Sequence, residues 1–431
     1  MLRLLAIGAL WLLAVAIMPR PAWSDELSGE IKTWTKKGML AGATSTEAEC
    51  VRSDRVWVAD KGSGYCIRYF KNRIEPKDGI AIVIFQGDFI GSVWKKGKPV
   101  KPVYEVNYDG RPLFEATRAL VTQSKTNAMF FVSRLGTLGS SGDHKQKFKP
   151  LESRVINAAL DQIKERYNLK GFVLAGQSGG ALLAANLLAK RSDIACAVMN
   201  SGAHDVYKYA EDSGFDSRVW ATWENPVDTI ASLKPSATQY YVMAGLGDQR
   251  RPPAYQEMFA DALAMKSPNV HYLLVRKRGD PHDLQTEGIR VADRCANGAT
   301  LAEIKKGLTL VDKRYRLQLV KWLESGSYAS GFQCFLGFKV GNHSDADIAD
   351  LSIGLGYYGR HGRLGGDITH MDRLPAGETR NFGQTVPAAC GTIEQVRLQS
   401  AQSQKPAAKG RDELKKAFTA YSMVYWISFN N

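Results

Sequence analysis

The chain has 431 residues, of which 44% are hydrophobic and 23% charged, with a formal net charge of +14. That balance excludes disordered, low-complexity and repeat proteins and leaves a globular chain long enough for two domains with a sizeable core. The positive charge is spread along the sequence, with small clusters at Lys95 to Lys101 and Arg276 to Arg278 and no nucleic-acid motif, so it reads as a diffuse field suited to an anionic envelope surface.

The N-terminus carries Arg3, an apolar run from Leu4 to Met18, and the small residues Ala22 and Ser24 ahead of Asp25. These three features together are those of a cleaved secretory signal, residues 1–24, with the mature chain starting near Asp25. No cysteine follows the apolar run closely enough for a lipoprotein anchor, and no later segment reaches membrane-spanning length. The mature protein is therefore expected to be soluble in the periplasm or secreted. The six cysteines, an even number, suit an oxidising compartment. Proximity and shared domain pair Cys50 with Cys66 and Cys334 with Cys390, which leaves Cys196 for Cys295. No C-x-x-C or Cys/His cluster suggests a metal.

Taken in order, the sequence predicts a short amphipathic helix near Ile31 to Lys37, then two strands, Arg55 to Ala59 and Tyr65 to Phe70, joined as a hairpin at Lys61-Gly62-Ser63-Gly64. Gly79 to Phe85 is a continuous β-branched run, a strand buried on both faces, ending in Gln86-Gly87-Asp88-Phe89. Residues Ile90 to Asn127 form an insertion with Trp94, Tyr104, Tyr108 and Phe114, either a cover for one side of a pocket or an ordinary connecting helix with its loop. Ala128 to Val132 is a further buried strand. Pro150 to Tyr167 has helical spacing, with Leu151, Val155, Ala159, Ile163 and Tyr167 on one face.

The stretch Gly171 to Arg191 then reads as strand, tight turn, helix, with Gly176-Gln177-Ser178-Gly179-Gly180 at the turn. A serine there is forced into a sparsely allowed conformation, and the flanking glycines remove Cβ atoms that would clash. This arrangement resembles the G-x-S-x-G nucleophile elbow of the α/β-hydrolase family. The loop Ser133 to His144 is similar to the D-x-R-G-x-G-x-S-x-G loop of many members, with Ser133 where an acid often sits; His144 in it is expected to be polar, exposed and non-catalytic. Gln86-Gly87-Asp88 stands where the family has His-Gly and a second oxyanion donor. The resemblance implies that the backbone N–H groups of Gly179 and Asp88, or of Phe89 or Gly87 one step away from Asp88, hold the oxyanion.

After the elbow, Ala195 to Met199 is a strand, and Asn200 to Pro235, short and polar with Trp220, Trp223 and Asn225-Pro226-Val227-Asp228, argues for an open site without a large helical cap. Proline-bearing runs of this kind are loosely similar to the prolyl-oligopeptidase-like (S9) branch. The strand Gln239 to Met243 ends in a segment similar to the family's G-x-x-D-x-x-V-P, placing Asp248 as the acid and Arg251 where valine is usual. A helix, Ala254 to Met265, and the strand Val270 to Val275 follow, and His282 lies on the loop just beyond, where the family has its general base. The order Ser178, Asp248, His282 is the hydrolase order. His271, inside a strand, reads as a packing residue.

Beyond about Ser325 the composition changes. Phe332 to Val340, Ile348 to Tyr358, Thr379 to Phe382, Thr392 to Leu398 and Ser422 to Ser428 read as strands of a small β-sandwich similar to Ig-like modules. Asp345, Asp347 and Asp350 read as a solvated loop, since an EF-hand's glycine and terminal glutamate are missing. The expected architecture is thus α/β: an α/β-hydrolase fold over 25–325, a mostly parallel twisted sheet with helices on both faces, plus an all-β sandwich over 326–431. The expected activity is that of a serine hydrolase, peptidase or carboxylesterase, acting on an ester or peptide substrate with no metal or organic cofactor. The competing expectation is a non-catalytic hydrolase scaffold whose sandwich binds a protein or glycan at the envelope; Gln86, Ser133 and Arg251 support it.

Overall fold

A computed structural model describes residues 32–95, 98–103, 108, 110–212, 221–234, 236–311, 315–327, 331–342, 347–403, 418–422 and 428–430. The predicted secretory signal, Tyr104, Trp220 and Asp345 fall outside them.

Helix α1 (Lys36–Ala41) precedes the antiparallel hairpin β1 (Arg55–Asp60) and β2 (Ser63–Lys71). Strand β3 (Ile80–Phe85) follows, then the small hairpin β4 (Gly91–Lys95) and β5 (Lys98–Val103) and helix α2 (Gly110–Val121). The predicted insertion is therefore a hairpin followed by a connecting helix. Strand β6 (Met129–Val132), helix α3 (Pro150–Arg166), strand β7 (Gly171–Gln177) and helix α4 (Gly179–Leu188) come next. Strand β8 (Ile194–Asn200) is followed, among the described residues, by the short helices α5 (Val206–Asp212) and α6 (Pro226–Thr229), and then by β9 (Gln239–Gly245), α7 (Pro253–Ala264), β10 (Val270–Val275), α8 (Gln285–Ala296) and α9 (Leu301–Lys305).

The ten strands make an eight-stranded sheet in the order β1-β2-β6-β3-β7-β8-β9-β10, beside the separate β4-β5 hairpin. From β6 to β10 every pairing in the sheet is parallel, and β2 meets β6 antiparallel. Parallel strands need crossover helices, which cover both faces, and that is why β3 and β7 read as unbroken apolar runs. Successive side chains divide between two cores. Val83, Leu174, Ala197 and Val242 pack with Val155 and Leu160 of α3, Leu183 of α4 and Phe259 of α7. Ile82, Val173, Val198 and Met243 pack on the other face with Phe114 of α2 and Ile289 of α8. This is the α/β-hydrolase fold expected from the sequence. Among the described residues no helix is long and apolar enough to cross a membrane.

The C-terminal part is a sandwich of two four-stranded sheets. Strands β11 (Tyr315–Ser327), β12 (Gly331–Asn342), β13 (Ile348–Gly359), β14 (Gly362–Leu374), β15 (Thr379–Val386), β16 (Gln395–Gln402), β17 (Phe418–Ser422) and β18 (Ser428–Asn430) pair as β15-β12-β11-β17 and β14-β13-β16-β18. Leu317, Leu319, Leu336, Phe338 and Val340 of one sheet meet Ile353, Leu355, Tyr357, Val396 and Leu398 of the other in one core. Strand β11 straddles residue 325, where the composition changes. Asp347 accepts a hydrogen bond from the Ala376 N–H at 2.9 Å and is paired with Arg373, the solvated-loop environment expected for it.

All three disulfides join the cysteines paired from the sequence: Cys50–Cys66, Cys196–Cys295 and Cys334–Cys390. The second ties β8 to α8 across 99 residues and so closes a long loop that contains β9 and β10. Closing that loop restricts the unfolded chain, so the double variant Cys196→Ser, Cys295→Ser is expected to lose about 2–4 kcal/mol of unfolding free energy. Equilibrium urea unfolding of the two proteins checks this; an unchanged midpoint and slope would count against it.

Candidate active site

The elbow follows from sterics. Ser178 has φ 54° and ψ −118°, a backbone region that costs about 1–3 kcal/mol for a side chain with a Cβ and is held only by surrounding structure. Its N–H donates to the Asn200 carbonyl at 2.8 Å, and its own carbonyl accepts the first helical bond, from Ala181 N–H at 2.9 Å. Every residue of α4 is buried, so the helix cannot shift to relieve the turn. A Cβ on Gly176 would overlap the Gly180 carbonyl, and one on Gly180 would overlap the carbonyls of Phe85 and Gln86. These two glycines let β3, β7 and α4 converge on the serine. Gly87 comes close as well: its Cβ position lies 3.2 Å from Ser178 Cβ and 3.9 Å from Ser178 Oγ.

Asp248 and His282 lie just beyond the carboxyl ends of β9 and β10, and their side chains meet: His282 Nδ1 is 2.7 Å from Asp248 Oδ2. Asp248 Oδ1 accepts the N–H groups of Arg250 at 2.9 Å and Arg251 at 3.0 Å. With one oxygen committed to the backbone, the other is left for the imidazole. Nδ1 then carries the hydrogen and Nε2 is an acceptor. Asp248 and His282 are buried, and Ser178 is only 9% exposed. Gly245 is necessary here, because a Cβ on it would overlap the Pro281 carbonyl of the histidine loop.

The loop after β3 is built around a buried ion cluster. Arg134 Nη1 donates to Asp88 Oδ1 at 2.7 Å, while its Nε and Nη2 grip Glu152 at 2.9 and 2.8 Å. Lys147 Nζ lies 3.2 Å from Asp88 Oδ2. Burial pushes the Asp88 carboxyl upward, but Lys147 and Arg134 outweigh it and hold the group well below the usual carboxylate range. Asp88 Oδ1 also occupies the space a Cβ on Gly179 would need. The Gln86-Gly87-Asp88 loop is therefore packed directly on the serine and the first residue of α4, whose N-terminal N–H groups have no partner within the helix.

His144 departs from its expected exposure: it is fully buried. The Asp143 side chain caps the following turn through the Lys145 N–H at 2.8 Å, which turns the ring inward, and Nε2 accepts the Phe89 N–H at 3.4 Å. Burial, reinforced by Arg134 and Lys147, keeps the ring neutral by pushing it well below the ordinary histidine value. The Phe89 N–H is thereby engaged, whereas the Asp88 N–H makes no hydrogen bond to another described residue. Gln86 is buried and donates to Thr137 Oγ1 at 2.9 Å, and Ser133 is buried with its hydroxyl on the Leu138 carbonyl at 3.4 Å. Arg251 lies over the Tyr209 ring, 4.4 Å from its centroid, and donates to its hydroxyl at 2.6 Å. His271 is half-buried against Tyr241, a packing role.

Residues 155–296 match the prolyl oligopeptidase family, Peptidase_S9. The matched region takes in β7 to β10 together with Ser178, Asp248 and His282. Solved structures similar to the chain include an esterase, Pf2001, from Pyrococcus furiosus (14% identity, 59% of this chain and 95% of that one, TM-score 0.41). Others are Est1E from Butyrivibrio proteoclasticus (15% identity, 59% and 100%, TM-score 0.39) and an acylaminoacyl peptidase from Pyrococcus horikoshii (16% identity, 56% and 39%, TM-score 0.37). No curated protein sequence matches the chain. The match to the prolyl oligopeptidase family supports a serine hydrolase. Among the described residues no cluster of His, Cys, Asp and Glu could hold a metal ion.

His204, outside this constellation, gives the prolyl-oligopeptidase-like region an acid-sensitive point. Its ring is fully buried, stacked on Phe259 with centroids 4.2 Å apart. Burial pushes it down to about 3, against a weak upward pull from Gly202. A histidine depressed in the folded state is protonated first in the unfolded chain, so stability is whole above the ordinary value and is lost as pH falls from about 6.5 toward the folded value. The melting temperature should fall over that range, and His204→Phe, which keeps the stack, should flatten the decline. Parallel calorimetric scans at successive pH values check it; identical slopes would refute the assignment.

Proposed function

We propose that this chain is a periplasmic or secreted serine hydrolase that cleaves an ester or amide bond through an acyl-enzyme on Ser178. Ser178 Oγ attacks the substrate carbonyl carbon while His282 Nε2 takes the hydroxyl proton, and Asp248 holds the ring and stabilises its charged form. The Gly179 and Asp88 N–H groups receive the oxyanion of the tetrahedral intermediate. Collapse breaks the bond to the leaving group, which takes the proton from His282. Water, deprotonated by the same nitrogen, then attacks the acyl-enzyme and releases the acid and the serine.

The observation that carries this reading is the 2.7 Å contact between Asp248 and His282 at the same rim of the sheet as the strained serine. The three disulfides are compatible with an oxidising compartment. Fluorophosphonate labelling of the purified protein and of Ser178→Ala tests it: the wild type should label and the variant should not. A wild type that stays unlabelled, or a variant that labels equally, would refute the nucleophile. Rates on p-nitrophenyl esters against aminoacyl and prolyl amides then separate carboxylesterase from peptidase.

A further inference from the structure

The second residue of the elbow pentapeptide has a side chain that the mechanism does not use. Gln177 is the last residue of β7 and is buried. Its carboxamide does not face the nucleophile's substrate side but reaches across to the histidine loop and bonds it twice. Nε2 donates to the His282 carbonyl at 2.6 Å, and Oε1 accepts the Leu284 N–H at 3.1 Å. From the end of the neighbouring strand, Asn200 Nδ2 donates to the Leu284 carbonyl at 3.4 Å. The rest of the loop after β10, Arg276 to Asp283, is rich in charged residues; its start is held by the Arg276 N–H on the Thr309 carbonyl at 2.8 Å, and its end by the His282 ring on Asp248 at 2.7 Å and by local bonds such as His282 N–H to Asp280 Oδ1 at 3.0 Å. None of these bonds ties the backbone of His282 and Leu284 to the strand that carries the nucleophile, and proton transfer requires the imidazole to be placed to within a fraction of an ångström of it.

We propose that Gln177 is a positioning residue for His282: its carboxamide fastens the backbone on both sides of Asp283 to the strand end that carries Ser178, so nucleophile and base are fixed to one another directly. The inference rests on the hydrolase reading for its catalytic consequence, but the clamp is a structural statement in its own right. A carboxamide offers a donor and an acceptor side by side at every pH, and both are needed because His282 presents a carbonyl and Leu284 an N–H. An apolar residue of equal length would leave both backbone groups buried and unpaired. The consequence would be a shifted loop, with Asp248 still near the ring but Nε2 displaced from Ser178.

Gln177→Met, of similar length and without hydrogen-bonding groups, tests the proposal in the full-length protein. The low-field proton on His282 Nδ1 followed by NMR, hydrogen exchange over residues 276–290, and steady-state kinetics on a p-nitrophenyl ester are the readouts. The variant is expected to lose protection over the loop, to broaden or lose the low-field resonance, and to fall about 10²-fold in kcat with KM little changed. Retention of both the protection and a kcat within about threefold of the wild type would overturn the clamp. Should Gln177→Met not fold, Gln177→Glu decides through pH: protonated it keeps both bonds, and ionised it keeps the acceptor for Leu284 and loses the donor to His282. Loop protection and kcat that fall relative to the wild type as pH rises support the proposal, and a pH profile identical to the wild type refutes it. A wild type inert to fluorophosphonate, with the resonance and protection still dependent on Gln177, would remove the hydrolase reading and leave the clamp standing.

Discussion

Asp248→Asn is expected to lower kcat about 10⁴-fold while leaving the fold and KM nearly unchanged. The reason lies in the backbone around the acid. Oδ1 accepts the Arg250 and Arg251 N–H groups, so the oxygen of an asparagine there would take those two bonds and its NH2 would point at the imidazole. His282 Nδ1, now 2.7 Å from a carboxylate oxygen, would face a donor and have to become an acceptor. Its hydrogen would move to Nε2, the atom that must accept the serine proton. The ring would remain in place in the wrong tautomer, so substrate affinity should persist and proton transfer should fail. Kinetics on an ester substrate check the expectation, with circular dichroism as the control for the fold and loss of the low-field Nδ1 resonance as the readout of the tautomer. A loss below about tenfold would mean that His282 is not the base or that Asp248 does not set its tautomer.

Much of this arrangement was readable because the strongest signals are steric. The β-branched run at Ile80–Phe85 and the glycines around Ser178 leave few alternatives for strand and turn, and the structure has β3 and the elbow where those residues predict them. Two of the cysteine pairs followed from proximity and shared domain, and Cys196–Cys295 was the pair that remained. Strand β14 was not predicted, since Gly362–Leu374 is an edge strand that buries only Leu374 and so lacks the alternation that marks a half-buried strand. Strand β11 does carry such an alternation, with Leu317 and Leu319 both in the core, although the predicted sandwich strands begin only at Phe332. The side-chain directions were beyond reach. Nothing in one sequence says that Gln177 crosses to the histidine loop or that His144 turns inward onto Phe89, because those contacts join residues 107 and 55 positions apart.

The largest stability effect is expected at Arg134. Its guanidinium is fully buried and joins two carboxylates, Glu152 through a two-point fork and Asp88 through the remaining amino group. It also lies 5.7 Å from the Phe148 ring centroid, and the Phe148 N–H is held by the same Glu152 at 3.1 Å. Arg134→Leu removes the shared cation and leaves Glu152 unpaired and Asp88 with Lys147 alone. Breaking a buried pair in this way costs about 3–5 kcal/mol, a fall of roughly 10 °C in melting temperature for a domain of this size. Arg134→Lys should recover little, since an ammonium cannot present three donors in the fork geometry that the two acids require. The pH dependence separates an electrostatic cause from a packing one. In the wild type the depressed Asp88 contributes stability above the ordinary carboxylate value, about 3.9, and loses it only as pH falls through its folded value. Without Arg134, burial acts against a weaker opposing charge, so the carboxyl takes a proton at a higher pH and the strain of a buried charge is relieved. The deficit of Arg134→Leu relative to the wild type should therefore be greatest near neutrality and shrink toward pH 4. A deficit constant with pH would assign the loss to the cavity left by the side chain. Because Asp88 Oδ1 fills the space beside Gly179, the same variant should also lose turnover on ester substrates, as an incompletely neutralised carboxylate would then lie next to the developing oxyanion.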